Sequence, residues 1–178
     1  MALKPQDVYV ALKLVAAGSP RAPYARLAVE LAMSPSEVHA SVRRAQASGL
    51  LHGPAMDYRP NIAALEEFLI HGLKYVFPAE RGELTRGFAT SYAAPPLRKL
   101  IAPGEEPIPV WPFAEGNQRG ISLAPLFKTA PAAAKLDEPF YELLALADAL
   151  RDGRVRERRI AETALRRRLS EAHAALKS

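Results

Sequence analysis

Ser34, Pro35, Ser36 and Glu37, followed by His39, Arg43 and Arg44, are the residues whose types and spacing could do chemistry, and that chemistry is recognition rather than catalysis. The Ser34 hydroxyl can cap a helix, Pro35 suits the first helical position, and Glu37 three residues on completes a capping box. The start of a helix also carries the positive end of its dipole, a setting that suits anionic oxygens. At 3.6 residues per turn, Val38, Val42 and Ala45 face a core, which turns Ser36, His39, Ala40, Arg43 and Ala47 outward. Hydroxyl, imidazole and guanidinium groups on one exposed helix face are donors for phosphates and for base edges in a groove.

Catalytic frames are missing from the sequence. It contains no Gly-rich phosphate loop, no G-x-S-x-G and no His-Glu-x-x-His. Glu66-Glu67 and Glu105-Glu106 are neighbours in sequence, so their side chains point apart and do not form an acid–base pair. With no cysteine, disulfides, thiolate zinc sites and cysteine nucleophiles are excluded, and four scattered histidines give no metal spacing. No enzyme activity, metal or cofactor is expected.

Charge supports an acidic partner. The net charge is +5, which favours polyanions because neutralised phosphates release condensed counterions. Residues 1–52 carry six Lys or Arg against three acids, and residues 154–168 carry seven Arg against two, while 53–136 is nearly balanced. No apolar run is long enough to span a bilayer, and the first twenty residues mix Lys4, Asp7 and Lys13 into their pattern, so neither a membrane segment nor a signal peptide is expected. A cytoplasmic location follows as an expectation.

The elements that must position these groups can be read from punctuation. Pro5 to about Ala17 predicts a first helix with Val8, Ala11, Leu12 and Val15 on its apolar face, ending at Gly18. Ser19 to Pro23 predicts a turn, and Tyr24 to Leu31 a short second helix. The third runs from the Ser34 cap to Gly49. His52 to Pro60, with Gly53-Pro54 inside it, predicts a small β-hairpin, and Asn61 caps a fourth helix from Ile62 to about Phe77. From Ala79 to Pro131 prolines interrupt any long element, so short strands and turns are expected, with Trp111 and Phe113 in a core or, with the loop bounded by Gly120, lining a ligand or partner pocket. Asp137 caps a helix to about Arg151. The last helix, Arg154 to about Leu176, carries Ala161, Leu165, Leu169, Ala172 and Leu176 on one stripe, available to pack or to dimerise.

The run from Leu27 through Met33, Ser34-Pro35-Ser36-Glu37-Val38 and Ser48-Gly49-Leu50-Leu51 resembles the DNA-binding region of MarR-like and Lrp-like winged helix-turn-helix regulators over about residues 4–60. The resemblance implies a DNA-binding fold for that region, and the elements read above give a mainly α protein in three parts, an N-terminal winged helix-turn-helix, a Pro-rich irregular middle with short β structure and a C-terminal helical part. A helix-turn-helix DNA-binding domain would span 1–78, a Pro-rich segment with short strands 79–136, and a C-terminal helical pair 137–178. It implies that Ser34, Pro35, Ser36, His39, Arg43 and Arg44 contact DNA, and that the chain is a bacterial transcriptional repressor acting on double-stranded DNA as a homodimer. Ala40 stands where many such regulators have a basic residue, and the wing is short. The stretch from Arg86-Gly87-Phe88 to Pro96-Leu97 is loosely similar to small regulators encoded beside nucleotidyltransferase-like toxins. That implies the alternative role of an antitoxin-type or phage-defence accessory module, binding a partner protein through its C-terminal half.

Overall fold

A computed structural model describes residues 1–18, 22–54 and 56–178. The turn expected over Ser19 to Pro23 therefore lies mostly outside the described residues. The protein is mainly helical. Helices α1 (Pro5–Ala17), α2 (Tyr24–Leu31) and α3 (Pro35–Ala47) come first, and a hairpin of β1 (Leu51–His52) and β2 (Arg59–Pro60) follows them.

The fourth helix forms over the expected span but not as one regular coil. It comprises α4 (Ile62–Glu67), a π-helical stretch from Phe68 to Gly72, and α5 (Leu73–Val76). Asn61 starts it as expected, its Oδ1 accepting from the Ala64 N–H at 3.3 Å. The Phe68 ring lies where a β-carbon on Gly72 would fall, 2.9 Å away, so the widened turn keeps a glycine beneath an aromatic ring.

The Pro-rich middle is more regular than expected. β3 (Arg81–Ala89) is nine residues long and pairs antiparallel with β4 (Pro109–Pro112) and with β5 (Gln118–Leu123). β4 and β5 pair in parallel and close a small three-stranded barrel. Such a tight ring requires backbones to approach without side chains between them. A β-carbon on Gly87 would sit 2.0 Å from the Trp111 carbonyl oxygen, and one on Gly120 would sit 2.0 Å from that of Ile108. α6 (Ala130–Lys135) falls where prolines were read as breakers, but Pro131 occupies its first turn, where the missing N–H costs nothing.

α7 (Glu138–Asp152) and α8 (Val155–Lys177) complete the chain. α8's stripe is consumed internally. Ala161, Leu165 and Leu169 are buried against α7 and α4, so the terminal helix does not offer these residues to a second copy. Its arginines clamp the same contacts: Arg168 pairs with Glu142 of α7, and Arg166 with Glu66 of α4.

Buried side chains form one contiguous cluster that draws on all three expected segments. At its centre lies α1, whose residues from Asp7 to Val15 are all buried. A single apolar stripe was expected, but α3 packs on one side of α1 and α7 on another, so Tyr9, Val10 and Leu14 are enclosed as well.

A buried carboxylate ties the barrel to α7. Asp148 Oδ2 accepts from Thr90 Oγ1 and Trp111 Nε1, each at 2.7 Å, while its Oδ1 accepts from Arg151 Nη2 at 2.8 Å. Arg151 in turn donates to the Phe77 carbonyl at 3.3 Å and the Ala124 carbonyl at 2.9 Å. Removing the acid strands a buried guanidinium and two donors. Asp148→Ala is therefore expected to cost about 3–5 kcal/mol in urea unfolding, and a loss under about 1 kcal/mol would contradict this role.

Burial pushes the hydroxyls of Tyr9, Tyr58 and Tyr141 up from the ordinary value of 10.0 to about 12. The folded state holds these protons longer than the unfolded chain does. Their contribution is thus complete below pH 10.0 and is lost as pH rises toward about 12. The melting temperature is expected to fall across that window, together with a delayed rise in tyrosinate absorbance.

Candidate nucleic-acid interface

α3 begins as its residue types dictate. The Ser34 hydroxyl accepts from the Glu37 N–H at 3.2 Å, the Glu37 carboxylate accepts from the Ser34 N–H at 2.8 Å, and Pro35 opens the helix. These bonds, the backbone one first, hold the Glu37 carboxyl below the usual carboxylate range, with the positive charge of Lys128 adding to the effect. Lys128 thereby brings a basic group from the middle of the chain to the start of α3. Ser34 and Ser36 share a hydroxyl contact at 3.1 Å, and Ser34, Pro35 and Ser36 are all exposed.

The turn before α3 is three residues long. Ala32 takes the left-handed conformation at φ 51°, and the Met33 N–H donates to the Ala28 carbonyl at 2.9 Å while its side chain is buried. This fixes α2 against α3 through a hydrophobic plug rather than a loose loop.

On the outward face, His39 and Arg43 are exposed, and Tyr24 of α2 stands beside them. The Tyr24 ring meets His39 edge-on at 5.3 Å and stacks on Tyr58 at 5.3 Å with 8° between planes. Tyr58 is anchored through its hydroxyl, which donates to the Ala22 carbonyl. One aromatic column thus links the hairpin, α2 and the outward face of α3. Partial burial raises the Tyr24 hydroxyl and the nearby Arg43 charge opposes that rise, which puts Arg43 in the same electrostatic neighbourhood. Arg43 has no carboxylate partner among the described residues. Gln46 donates to the Gly53 carbonyl at 3.0 Å and holds the hairpin against α3.

Arg44 goes elsewhere. Its Nη2 lies 2.7 Å from Asp7 Oδ1 and its Nε 2.9 Å from Oδ2, with the Asp7 side chain wholly buried. The same guanidinium reaches Ser41 Oγ at 3.3 Å, and Asp7 also accepts the Lys4 N–H that it caps on α1. Arg44 therefore bolts α3 to α1 and is not offered outward, because the closest carboxylate is inside the protein. Of the six expected contact residues, Ser34, Pro35, Ser36, His39 and Arg43 share one exposed surface, and Arg44 lies behind it. Reading the sequence missed Tyr24 and Lys128. An aromatic at the first position of α2 was a signal for the former, whereas Lys128 reaches α3 only through tertiary folding.

Among the described residues, no helix is long and apolar enough to cross a membrane, and no group of His, Asp or Glu is placed to hold a metal.

Two neighbouring arginines are expected to behave oppositely on truncation. Arg44→Ala leaves Asp7 buried without its partner and should cost about 3–5 kcal/mol, whereas Arg43→Ala should stay within about 0.5 kcal/mol of wild type. Chemical denaturation of both variants checks this, and equal losses would show that the assignment of the two side chains is wrong.

Comparison with known protein families, with curated proteins and with solved structures finds no match.

Proposed function

We propose that this protein binds duplex DNA sequence-specifically and acts as a transcriptional repressor, with α2, α3 and the β1–β2 hairpin serving as a short-winged helix-turn-helix. The observation that carries this is the division of labour along α3. One flank is fixed to α1 through Arg44 and Asp7, while the opposite face presents Ser34, Ser36, His39 and Arg43 with no part of the described chain covering them.

In a major groove, the N-terminus of α3 with Ser34, Pro35 and Ser36 would lie against a phosphate, supported by Lys128. One turn and two turns further on, His39 and Arg43 reach base edges, Arg43 best matched to the two acceptors of guanine. Ala40, between them, leaves room for a thymine methyl. The hairpin is short and carries the exposed tip residues Gly53, Pro54 and Met56. Repression follows from occupying a promoter, and it places the protein in the cytoplasm. A homodimer would present two copies of α3 to two half-sites. Val29 and Leu136, 82% and 88% exposed, border one hollow beside α2 and offer apolar surface for that pairing.

A second reading, the accessory module that binds a partner protein, is favoured by an apolar groove of about 580 Å³ on α8. Pro96, Leu100, Ile160 and Ala164 line it together with Arg159, which has no carboxylate partner among the described residues, and this suits an amphipathic helix carrying an acid.

Titration of the protein with its own upstream DNA and with a random duplex, across a salt series, separates the two. A preference of about 10³-fold or more is expected for the cognate duplex. Arg43→Ala should weaken specific binding by about 1–3 kcal/mol, and Lys128→Ala should reduce the salt slope by about one. Equal, steeply salt-dependent binding to both duplexes, or an unchanged affinity for Arg43→Ala, would overturn the groove-reading role.

A further inference from the structure

Two arginines face each other across the barrel. Arg86 on β3 and Arg119 on β5 are direct partners in the antiparallel ladder, and directly opposed residues project from the same face of a sheet. Both are exposed, and neither has a carboxylate partner among the described residues. Like charges set opposite one another weaken a strand pair, and an anion held between them would offset that repulsion. The two arginines, with Asn117 and Gln118, line a hollow of about 370 Å³.

Asn117 and Gln118 also line a second, adjoining cleft of about 570 Å³. This one is aromatic, with Phe88, Tyr92 and Tyr141 along its wall and Arg98 and Lys135 beside them. Its wall is held in place. Phe88 packs on Tyr141 with ring centroids 4.7 Å apart, and the Tyr141 hydroxyl donates to the Ala89 carbonyl at 2.5 Å. The loop between β4 and β5 is held equally firmly, since the Phe113 N–H donates to the Arg86 carbonyl at 3.2 Å and the Gly116 N–H to the Phe113 carbonyl at 2.9 Å. The side-chain amides of Asn117 and Gln118 and the Tyr92 hydroxyl have no hydrogen-bond partner among the described residues. The two hollows thus adjoin at Asn117 and Gln118, with the aromatic wall in one and the arginine pair in the other.

We propose that this surface is a nucleotide-binding site: the base stacks in the cleft of Phe88, Tyr92 and Tyr141, Asn117 and Gln118 meet its polar edge, and Arg86 with Arg119 take the phosphate. The parts match the ligand in kind. Base faces stack on aromatic rings without regard to sequence, guanidinium forks bind phosphate oxygens in pairs, and the cleft has the size of a small-ligand pocket. Glu138 is the carboxylate in the lining, and it can accept from the exocyclic amine of a base. The site lies on the barrel and shares no residue with the outward face of α3, so it stands or falls independently of duplex binding.

Calorimetric titration of the full chain with GMP, guanosine and inorganic phosphate tests the assignment. GMP is expected to bind at least tenfold more tightly than either fragment, and Arg86→Gln and Arg119→Gln are each expected to lower its affinity tenfold or more. Arg86→Glu creates an opposite-charge pair with Arg119, so it should abolish GMP binding while raising the melting temperature. Arg156→Gln, exposed on α8 and outside both hollows, should leave GMP binding unchanged. Comparing dTMP with a short oligothymidine identifies the source of the nucleotide, a large gain with length assigning a single strand and equal affinities a free nucleotide. GMP binding no better than phosphate, identical binding by wild type and Arg119→Gln, or no nucleotide binding at millimolar concentration would each overturn the proposal.

Discussion

Two charges buried on α1 set the geometry on which the rest of the structure depends. Because α1 is enclosed from Asp7 to Val15, any charged group on that stretch must find a partner inside the protein. Asp7 finds Arg44 on α3. Lys13, its side chain 6% exposed, lies 3.0 Å from Glu30 of α2 and 2.5 Å from Asp137, the cap of α7. Burial of Val38, Val42 and Ala45 sets which side of α3 faces inward, and the two-point guanidinium–carboxylate pair pins its flank. Buried pairs of this kind add little net stability over an apolar substitute, and their contribution here is orientation. The outward face of α3 is outward because its inner flank is pinned.

The same logic organises the segment that departs from regular structure. A chain that breaks its helices with proline must still satisfy its carbonyls. Arg151 accepts that task at both ends of the excursion, since one guanidinium meets the Phe77 carbonyl where the fourth helix stops and the Ala124 carbonyl where β5 stops. Asp148 neutralises it and collects Thr90 and Trp111 from within the excursion. The barrel therefore hangs on α7 by polar contacts, and α7 is held on α1 through Lys13 and through the Tyr9 ring, which packs on Phe140. The Tyr9 hydroxyl lies 3.1 Å from Thr129 Oγ1, and Thr129 donates to the Leu31 carbonyl at the end of α2. The barrel, α7, α1 and α3 are thus linked in turn by polar contacts.

Much of the helical frame was legible because local signals define it. Pro5 and Gly18 bound α1, and Ser34, Pro35 and Glu37 start α3, since caps act over three or four residues and need no knowledge of the fold. The barrel was not legible in that way. Its closure depends on Gly87 and Gly120, each of which admits a backbone carbonyl where a β-carbon would clash, a contact set by tertiary pairing and not by local sequence. The full burial of α1 was visible in principle, since Tyr9, Val10 and Leu14 fill the faces that Val8, Ala11, Leu12 and Val15 leave. Of the stripe on α8, Ala161, Leu165 and Leu169 are buried while Ala172 and Leu176 stay half-exposed, and which surface they meet depends on where α4 and α7 lie.

Direction is the part of the candidate site that sequence could not supply. Arg43 and Arg44 are adjacent and chemically identical, yet on the helix they lie 100° apart, and a flexible side chain at the boundary of a face goes to the nearest carboxylate. Asp7 decides that question for Arg44 from outside the helix. The net charge of +5 is a sum that hides three fates. Arg44 and Arg151 are spent on internal carboxylates, and Arg26, Arg166 and Arg167 on acids four residues away or on a neighbouring helix. Only side chains such as Arg43, Arg86 and Arg119, which have no carboxylate partner among the described residues, leave their charge for something outside the protein. A basic sequence predicts a polyanionic partner through these few positions alone, and the internal carboxylates determine which positions they are.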